Sequence, residues 1–454
     1  MDDTSQLLEA DRRYLVHPLH HPDDHRQPLV VVEGKGAMLR DADGREYIDG
    51  LSGLWNVNVG HGRAELADAA SAQMRRIAFA SAYIGATNEP AVRLAEKIVG
   101  HAYANTAAAY FTTAGAESNE SAFKFARYFW KIRDKPEKTK IISRIHAYHG
   151  VTLAAMSATG MAAYHKMFGP LVPGFIQVSP PYAYRWAGNE EPGIGAADAV
   201  EHAILAAGAD TVAAVIAEPV MGAGGVIVPP KTYFARISEV CRKYDVYMIS
   251  DEVICGFGRL GHGFGCTLLG FEAHSISVAK ALTSAYVPMA AVTVPADMYQ
   301  ALVDQSRKIG VFGHGFTYSG HPVAAAVALK TLEIYERDRI PEVVAGKSPH
   351  FLARLSALGQ HPLVGEARGL GLMGALELAA DKVSKRPFEP KSGIGPRAVQ
   401  FAEEEGLIVR SLAGDVITLC PPLVISAEEI DLLFERLGRG LDRALDWAKQ
   451  QQLV

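Results

Sequence analysis

Cysteine is scarce in this chain, with four residues in 454. None of them, Cys241, Cys255, Cys266 or Cys420, belongs to a Cys-x-x-Cys pair, which argues against a zinc ribbon, and we expect four small buried thiols. Histidine is crowded into the first 30 residues instead, at positions 17, 20, 21 and 25. We predict an N-terminal arm lying on a neighbouring surface in preference to a metal site there, and no metal elsewhere.

An excess of charge of one sign and a long apolar run are also missing. The 45 basic and 50 acidic residues leave a net charge of −5 without a basic cluster, so there is no electrostatic reason to expect nucleic acid. The longest apolar candidate, Thr211–Pro230, contains Glu218, and the acidic start Met1–Thr4 is unlike a secretory signal. These features predict a soluble, cytoplasmic protein without a membrane segment.

Apolar runs alternate with helical periodicity between residues 61 and 320. Short runs rich in β-formers, such as Ala107–Thr112 and Val212–Ala217, follow amphipathic stretches, which favours a mostly parallel sheet covered by helices in an α/β fold. Beyond residue 320, helical patterns at Val323–Tyr335 and Ala427–Trp447 flank the segment Gly369–Leu378, which we predict to be one strand. We therefore predict a large domain over 61–320 and a smaller α+β domain built from 1–60 and 321–454.

Two apolar strands end in polar side chains. Val246–Ser250 runs directly into Asp251 and Glu252, and His274–Val278 reaches Lys280 two residues later. Ligands of open α/β sheets bind at the carboxyl ends of the strands. A lysine buried there has a lowered pKa and is suited to Schiff-base chemistry, although by itself it is equally typical of the surface.

Two glycine-containing loops accompany these strand ends. The segment 110–119 is a strand followed by a turn at Gly115 and the start of a helix, an arrangement whose free N–H groups suit a phosphate. The segment 313–322 offers hydroxyl groups just before a long helix. Each pattern alone is also typical of an ordinary turn. Together they match pyridoxal phosphate (PLP), which needs a lysine for its aldehyde, an acid for its ring nitrogen and a cradle for its phosphate.

In its motifs the sequence resembles the class III (omega) aminotransferases, which are fold-type I PLP enzymes, from about residue 28 to about 445. The motifs are Gly53–Gly60, Ala147–Gly150, Ala217–Pro219 with Gly222–Gly225, Asp251–Val253, Ala279–Lys280 and His314–Pro322. The resemblance implies a PLP-dependent transferase fold with a mostly parallel seven-stranded sheet in the large domain. It also implies ping-pong transfer of an amino group from a primary amine or omega-amino acid to pyruvate or a similar 2-oxo acid.

The resemblance implies specific roles for the cofactor-binding residues. Lys280 forms the Schiff base and carries the proton, and Asp251 pairs with the pyridine nitrogen. Tyr148 stacks on the ring, and Val253 packs against its other face. The other implied cofactor contacts are Gly115, Ala116, His149, Glu218, Phe316 and Thr317. Phe316 and Thr317 would belong to the neighbouring subunit's site, which makes the enzyme an obligate homodimer and leaves a tetramer open.

The substrate pocket is implied by a second group of residues. Trp55 lies in a Gly-Leu-Trp-x-Val-Asn stretch similar to that of omega-amino-acid and amine:pyruvate transaminases. It would line the pocket together with Tyr148 and with Tyr83 or Ile84. Arg410 matches the mobile arginine of that group and would clamp the acceptor's carboxylate. A structural salt bridge is the alternative interpretation of Arg410, and the physiological donor stays open among β-alanine, taurine, polyamines and arylalkylamines.

The sequence departs from the family at the phosphate turn. The common Ser-Gly-Ser is replaced by Ala114-Gly115-Ala116, which removes two hydroxyl contacts of about 0.5–1.5 kcal/mol each. Phosphate binding would then depend more on backbone N–H groups and on Thr317.

Two groups of alternatives remain. Gly-x-Gly-x-x-Gly occurs at Gly256 and at Gly369, as in nicotinamide or flavin oxidoreductases, but neither run is followed by a helical pattern of a βαβ unit. Racemases, aminomutases and a decarboxylase share the class III fold and the cofactor. Arg410 and Trp55 favour transamination over these.

Overall fold

A seven-stranded sheet runs through the middle of the chain in the computed structural model, which describes residues 4–21, 28–103, 105–309 and 312–454. Its strand order is β4-β10-β9-β8-β7-β5-β6, and every neighbouring pair is parallel except the two that involve β10. The strands are β4 (Thr106–Thr112), β5 (Lys140–Arg144), β6 (Phe175–Val178), β7 (Val212–Ala217), β8 (Tyr247–Asp251), β9 (Ser275–Val278) and β10 (Ala290–Pro295). The predicted α/β class with a mostly parallel seven-stranded sheet is confirmed.

Helices cover this sheet because its central strands are apolar on both faces. All six residues of β7 are buried, and helix α5 places Phe123, Phe125 and Phe129 in the core. The helices that precede β10 in the chain are α1 (Thr4–Tyr14), α2 (Ser52–Trp55), α3 (Ala64–Arg76), α4 (Glu89–His101), α5 (Gly115–Ile132), α6 (Leu153–Ala158), α7 (Ala162–Phe168), α8 (Pro192–Ala207), α9 (Thr232–Lys243) and α10 (Gly265–Leu268). The remaining helices are α11 (Ala296–Ile309), α12 (Pro322–Arg337), α13 (Ile340–Leu358), α14 (Ile394–Glu404) and α15 (Ala427–Gln450).

Two further sheets of four strands each use both ends of the chain. One has the order β1-β2-β3-β13, with β1 (Val31–Lys35), β2 (Met38–Asp41), β3 (Glu46–Asp49) and β13 (Leu407–Ile408). The other has the order β11-β12-β15-β14, with β11 (Val364–Leu370), β12 (Met373–Leu378), β14 (Arg410–Leu412) and β15 (Val416–Leu419). Strand β13 pairs with β3, as a small domain made from both termini requires. The domain boundaries 61–320, 1–60 and 321–454 stay a prediction.

The segment Gly369–Leu378 differs from its prediction as a single strand. It contains the end of β11, a turn at Gly371 and Leu372, and the whole of β12. Gly371 has a φ of +64°, a left-handed conformation that reverses the chain and that glycine adopts without a steric penalty. Apolar residues on both sides of the turn concealed the hairpin.

Several other expectations can be compared with the fold. All four cysteines are buried. No helix in the described part of the chain is long and apolar enough to cross a bilayer. His25 of the predicted N-terminal arm lies outside the described residues. Neither Gly-x-Gly-x-x-Gly run opens the helix of a βαβ unit, since the first lies in turns and the second in the β11–β12 hairpin.

Candidate active site

A small cavity lies where the parallel strands end. Strands β5, β7, β8 and β9 point the same way, so the residues that follow them meet at one edge of the sheet. The cavity is lined by Tyr148, Glu218, Val220, Asp251, Val253, Ile254, Cys255 and Lys280. Five of these, namely Tyr148, Glu218, Asp251, Val253 and Lys280, are predicted site residues, and the structure brings them together.

Lys280 faces the cavity from the turn after β9. Its φ of +40° is left-handed, a conformation that costs a residue with a β-carbon about 1 kcal/mol. Burial lowers the pKa of the Lys280 ammonium, and the carboxyl groups of Asp251 and Glu218 act in the opposite direction. Its Nζ has no hydrogen-bond partner among the described residues, so the amine is free to react with a carbonyl group.

Asp251 is fixed by three hydrogen bonds. Its Oδ2 accepts from Nδ2 of Asn119 and from Nδ1 of His149, both at 2.8 Å, and its Oδ1 accepts from the Val253 amide at 3.1 Å. Asn119 also donates to the carbonyl of His149 at 2.9 Å, which ties the partners to each other. One lone pair of Oδ1 is left free, so this oxygen can accept a hydrogen bond from the N–H of a protonated ring nitrogen.

Asn119 is a site residue whose side-chain role was not predicted from the sequence. It lies one helical turn after Gly115, on the buried face of α5. That i,i+4 spacing from the glycine turn is the only local signal that could have identified it. Val220, Ile254 and Cys255 were also missed, because apolar residues after a strand give no sign that they line a cavity.

Glu252, the second carboxylate after β8, turns away from the cavity. Its Oε1 accepts from the Cys266 amide at 2.7 Å and from the Ser250 hydroxyl at 3.2 Å, and its Oε2 accepts from the Gly265 amide at 2.9 Å. Burial raises the pKa of this carboxyl group. Consecutive residues of a strand point to opposite faces, which explains why only Asp251 reaches the cavity.

Glu218 connects two segments of the cavity wall. Its Oε1 accepts from the Tyr148 amide at 3.2 Å and its Oε2 accepts from the Gly222 amide at 2.9 Å, while burial raises its pKa. The buried Arg144 donates to the Glu218 carbonyl at 2.7 Å. The side chain of Glu218 thereby sets the position of the Tyr148 backbone.

The turn before α5 is built to receive an anion. Within the described residues, no acceptor faces the amide N–H groups of Gly115, Ala116 and Glu117, as expected for the first turn of a helix. Ala114, the N-cap residue, has no side-chain oxygen to satisfy them. A β-carbon on Gly115 would come 3.0 Å from Val253, so the turn packs directly against the cavity wall. Free N–H groups at the positive end of a helix dipole fit a phosphate.

Three other predicted residues do not line this cavity. Tyr83 and Thr317 are exposed and Phe316 is half-buried. The loop that carries Tyr83 contacts the loop that carries Phe316 and Thr317, as shown by the 2.5 Å between the Tyr83 hydroxyl and the position of a β-carbon on Gly315.

Trp55 and Arg410 lie beside the cavity. The Trp55 ring is buried and packs near Ile254, since a β-carbon on Gly222 would come 2.9 Å from Trp55 Cζ3 and 2.5 Å from Ile254 Cδ1. Leu412, two residues after Arg410 in β14, packs against the buried cluster that contains Trp55, Ile254 and Cys255, which places this strand beside the cavity. Burial raises the pKa of Tyr148, and the positive charge of Arg410 acts in the opposite direction. The Arg410 guanidinium has no hydrogen bond or salt bridge in the described part of the chain, so the alternative of a structural salt bridge has no support.

Comparisons with known proteins agree with this geometry. The family model described as aminotransferase class-III matches residues 20–441. Gamma aminobutyrate transaminase 3, chloroplastic, of Solanum lycopersicum is 41% identical over 91% of this chain and 81% of its own length. Putrescine–pyruvate aminotransferase of Pseudomonas aeruginosa is 41% identical over 91% of this chain and 90% of its own. The crystal structure of the omega transaminase from Pseudomonas jessenii in complex with PMP superposes with a TM-score of 0.94 and 40% identity, over 97% of this chain and 98% of that one.

Proposed function

The chain belongs to the class III aminotransferases, which use pyridoxal phosphate, and we propose that it moves an amino group from a primary amine or omega-amino acid to pyruvate or a similar 2-oxo acid. The observation that carries this proposal is the Arg410 guanidinium, unpaired among the residues that the structure describes, beside a cavity with an apolar wall. A cation next to apolar residues suits an enzyme that must accept both a carboxylate and an uncharged side chain.

The residues around the cavity fit the cofactor. Lys280 would hold its aldehyde carbon and Asp251 its ring nitrogen, with Tyr148 and Val253 on the two ring faces. The amides of Gly115 and Ala116 would hold the phosphate, and His149 and Glu218 would support Asp251 and Tyr148. The chemistry that the cofactor supplies is an aldehyde that takes up the amino group and a ring that withdraws electrons from the neighbouring C–H bond.

Lys280 then acts as the proton carrier of both half-reactions. Its lowered pKa increases the share of neutral amine, so that Nζ can take a proton from the donor's carbon in one half-reaction and give a proton to the acceptor's carbon in the other. Asn119 and His149 keep Asp251 in place during both steps. The buried wall of Val220, Ile254 and Trp55 excludes water from that proton.

A neighbouring subunit completes the proposed site. Thr317 is exposed in the single chain and Phe316 is half-buried beside it, as expected of residues that reach into another subunit's phosphate site. We therefore propose a homodimer with shared sites, in which Tyr83 also lines the substrate pocket; a tetramer is compatible with it.

Arg410→Leu should impair the acceptor half-reaction selectively. The variant loses a charge-assisted pair with the acceptor's carboxylate, so KM for pyruvate should rise about 10–100-fold. The half-reaction with an amine that has no carboxylate should change less than about threefold, because that donor does not use the pair. Stopped-flow measurement of the two half-reactions separates these effects, and an equal loss in both would contradict the role of Arg410.

The reaction class is tested by incubating the holoenzyme with pyruvate and a panel of amine donors. One alanine formed for each donor consumed supports transamination. A donor that is racemised, rearranged or decarboxylated while pyruvate is untouched would identify one of the other class III activities and overturn the proposal. The panel should contain an omega-amino acid and a diamine, the two donor classes that the relatives' names give, together with an arylalkylamine as a donor without a carboxylate or a second amine.

Ala114→Thr should tighten binding of the cofactor. Ala114 is exposed and lacks the oxygen that caps a helix, so a hydroxyl there should raise the free energy of unfolding by about 0.5–1 kcal/mol. One added hydrogen bond to the phosphate should lower the Kd of PLP about 3–10-fold. Ala114→Val has the same shape without the hydroxyl and is the control. Equal Kd values of PLP for the two variants would show that a hydroxyl at position 114 makes no contact with the phosphate.

A further inference from the structure

Arg259 is a buried cation that has no carboxylate partner in the described part of the chain. Its side chain has 0% exposure, and no salt bridge reaches it among the described residues. Its Nη1 donates to the carbonyl of Pro421 at 2.5 Å and to that of Leu372 at 3.4 Å, and its Nη2 donates to Asn58 Oδ1 at 2.7 Å and Ser52 Oγ at 3.2 Å. Removing a charge from water is costly unless it is paired, so an arginine that binds only neutral oxygens calls for a reason.

The acceptors come from three separate parts of the chain. Leu372 lies in the turn between β11 and β12, and Pro421 follows β15. Ser52 and Asn58 flank the segment that carries Trp55. The planar fork of the guanidinium can join these segments in a fixed geometry that the single ammonium group of lysine cannot reproduce.

The segment between Ser52 and Asn58 needs such support. Ser52 and Trp55 have φ values of +46° and +62°, and Gly53 has +65°, so two residues with side chains are left-handed within four positions. A conformation of this kind persists only where its surroundings hold it. Asp49 binds the amides of Leu51 and Gly53 at the start of the segment, and Arg259 holds its two ends.

We propose that Arg259 is a positioning residue that holds the strained Trp55 segment against the cavity wall and thereby sets the shape of the donor pocket. The inference rests on the proposed function, because it takes Trp55 as a wall of that pocket. Arg259 follows Ile254 and Cys255 in the same loop, so one segment supplies part of the wall and the side chain that fixes Trp55, which packs beside it. Arg259 itself touches neither donor nor acceptor.

The kinetic test is a double-mutant cycle on the holoenzyme. Arg259→Met should raise KM for the amine donor about tenfold and change kcat less than about threefold, because pocket shape acts on binding before chemistry. Arg259→Lys should recover little, since it keeps the charge and loses the fork. In a Trp55→Ala background, Arg259→Met should have no further effect on donor KM, because the side chain through which it acts is absent. Additive effects would overturn the proposal.

A second measurement does not depend on activity. The chain has four tryptophans, and in 5-fluorotryptophan-labelled protein the ¹⁹F resonance that disappears in Trp55→Phe identifies Trp55. Arg259→Met should shift or broaden that resonance and leave the other three in place. Asn58→Ala removes the acceptor at 2.7 Å and leaves the arginine in place, so it should shift or broaden the Trp55 resonance to a smaller degree. This variant replaces Arg259→Met in the test if Arg259→Met does not fold. An unchanged Trp55 resonance in the folded variants would overturn the proposal.

Lys138 provides a matched control for loss of a buried cation. It is 1% exposed and donates to the carbonyls of Val212, Tyr244 and Asp245. None of these three residues belongs to the Trp55 segment. Lys138→Met should lower stability and leave donor KM and the Trp55 resonance unchanged. If the wild-type protein does not transaminate any donor, the proposed function fails, while the ¹⁹F comparison still decides whether Arg259 positions Trp55.

Discussion

Lys280→Ala is expected to abolish transamination, with kcat falling by at least about 10⁴-fold. Lys280 is the only lysine that lines the cavity in the described part of the chain. No neighbouring base should take its place, because Asp251 accepts three hydrogen bonds and its remaining lone pair is assigned to the ring nitrogen, while Glu218 accepts two. The variant should also lose the visible absorbance band of a lysine-bound cofactor. Steady-state alanine formation and an absorbance spectrum of the holoenzyme measure both effects.

Rescue by an added amine distinguishes loss of the proton carrier from loss of the fold. Small primary amines should restore part of the activity of Lys280→Ala in proportion to their concentration and basicity, because an external base can fill the space of the missing side chain. The far-ultraviolet circular dichroism should match that of the wild type. A variant that keeps its visible band and more than about one hundredth of the wild-type kcat would contradict the role of Lys280.

The part of the site that the sequence predicts is the part that sheet topology explains. Asp251 and Lys280 could be placed together because parallel strands that end in polar residues deliver them to the same edge. The Gly115 turn was predictable because a glycine between a strand and a helix is a local pattern. Fold class follows for the same reason, since the alternation of apolar runs and helical periodicity is itself local.

What could not be predicted depends on contacts between distant segments. Asn119 is 132 positions from the Asp251 oxygen that it binds, and nothing local to either residue signals the pair. Arg259 lies in a glycine-rich turn, and arginine is usually exposed, so its complete burial has no signature in composition or spacing. The direction of Glu252 is a third example, because two adjacent carboxylates look alike until the strand assigns them to opposite faces.

Those two carboxylates make the most selective prediction for the site. Asp251→Asn should lower the rate of the donor half-reaction about 10²–10⁴-fold. Two donors, Asn119 Nδ2 and His149 Nδ1, converge on Oδ2, so the amide of the variant should turn its oxygen towards them and its NH₂ group towards the cavity. That group donates where the wild-type Oδ1 accepts from the Val253 amide and would accept from a ring nitrogen. A ring nitrogen could then no longer keep its proton there, and the withdrawal of electrons from the donor's C–H bond would be lost.

Glu252→Gln is the matched control, because it makes the same chemical change one residue further along the chain. Its NH₂ group would face the Gly265 or the Cys266 amide, which leaves a buried donor unpaired and should lower the free energy of unfolding by about 1–3 kcal/mol. The half-reaction rate should stay within about threefold of the wild type, since this side chain does not reach the cavity. Single-turnover absorbance measurements and urea unfolding of both variants give the comparison. Equal rate losses would mean that Asp251 acts only through the fold, whereas a rate loss confined to Asp251→Asn requires its carboxylate in the reaction.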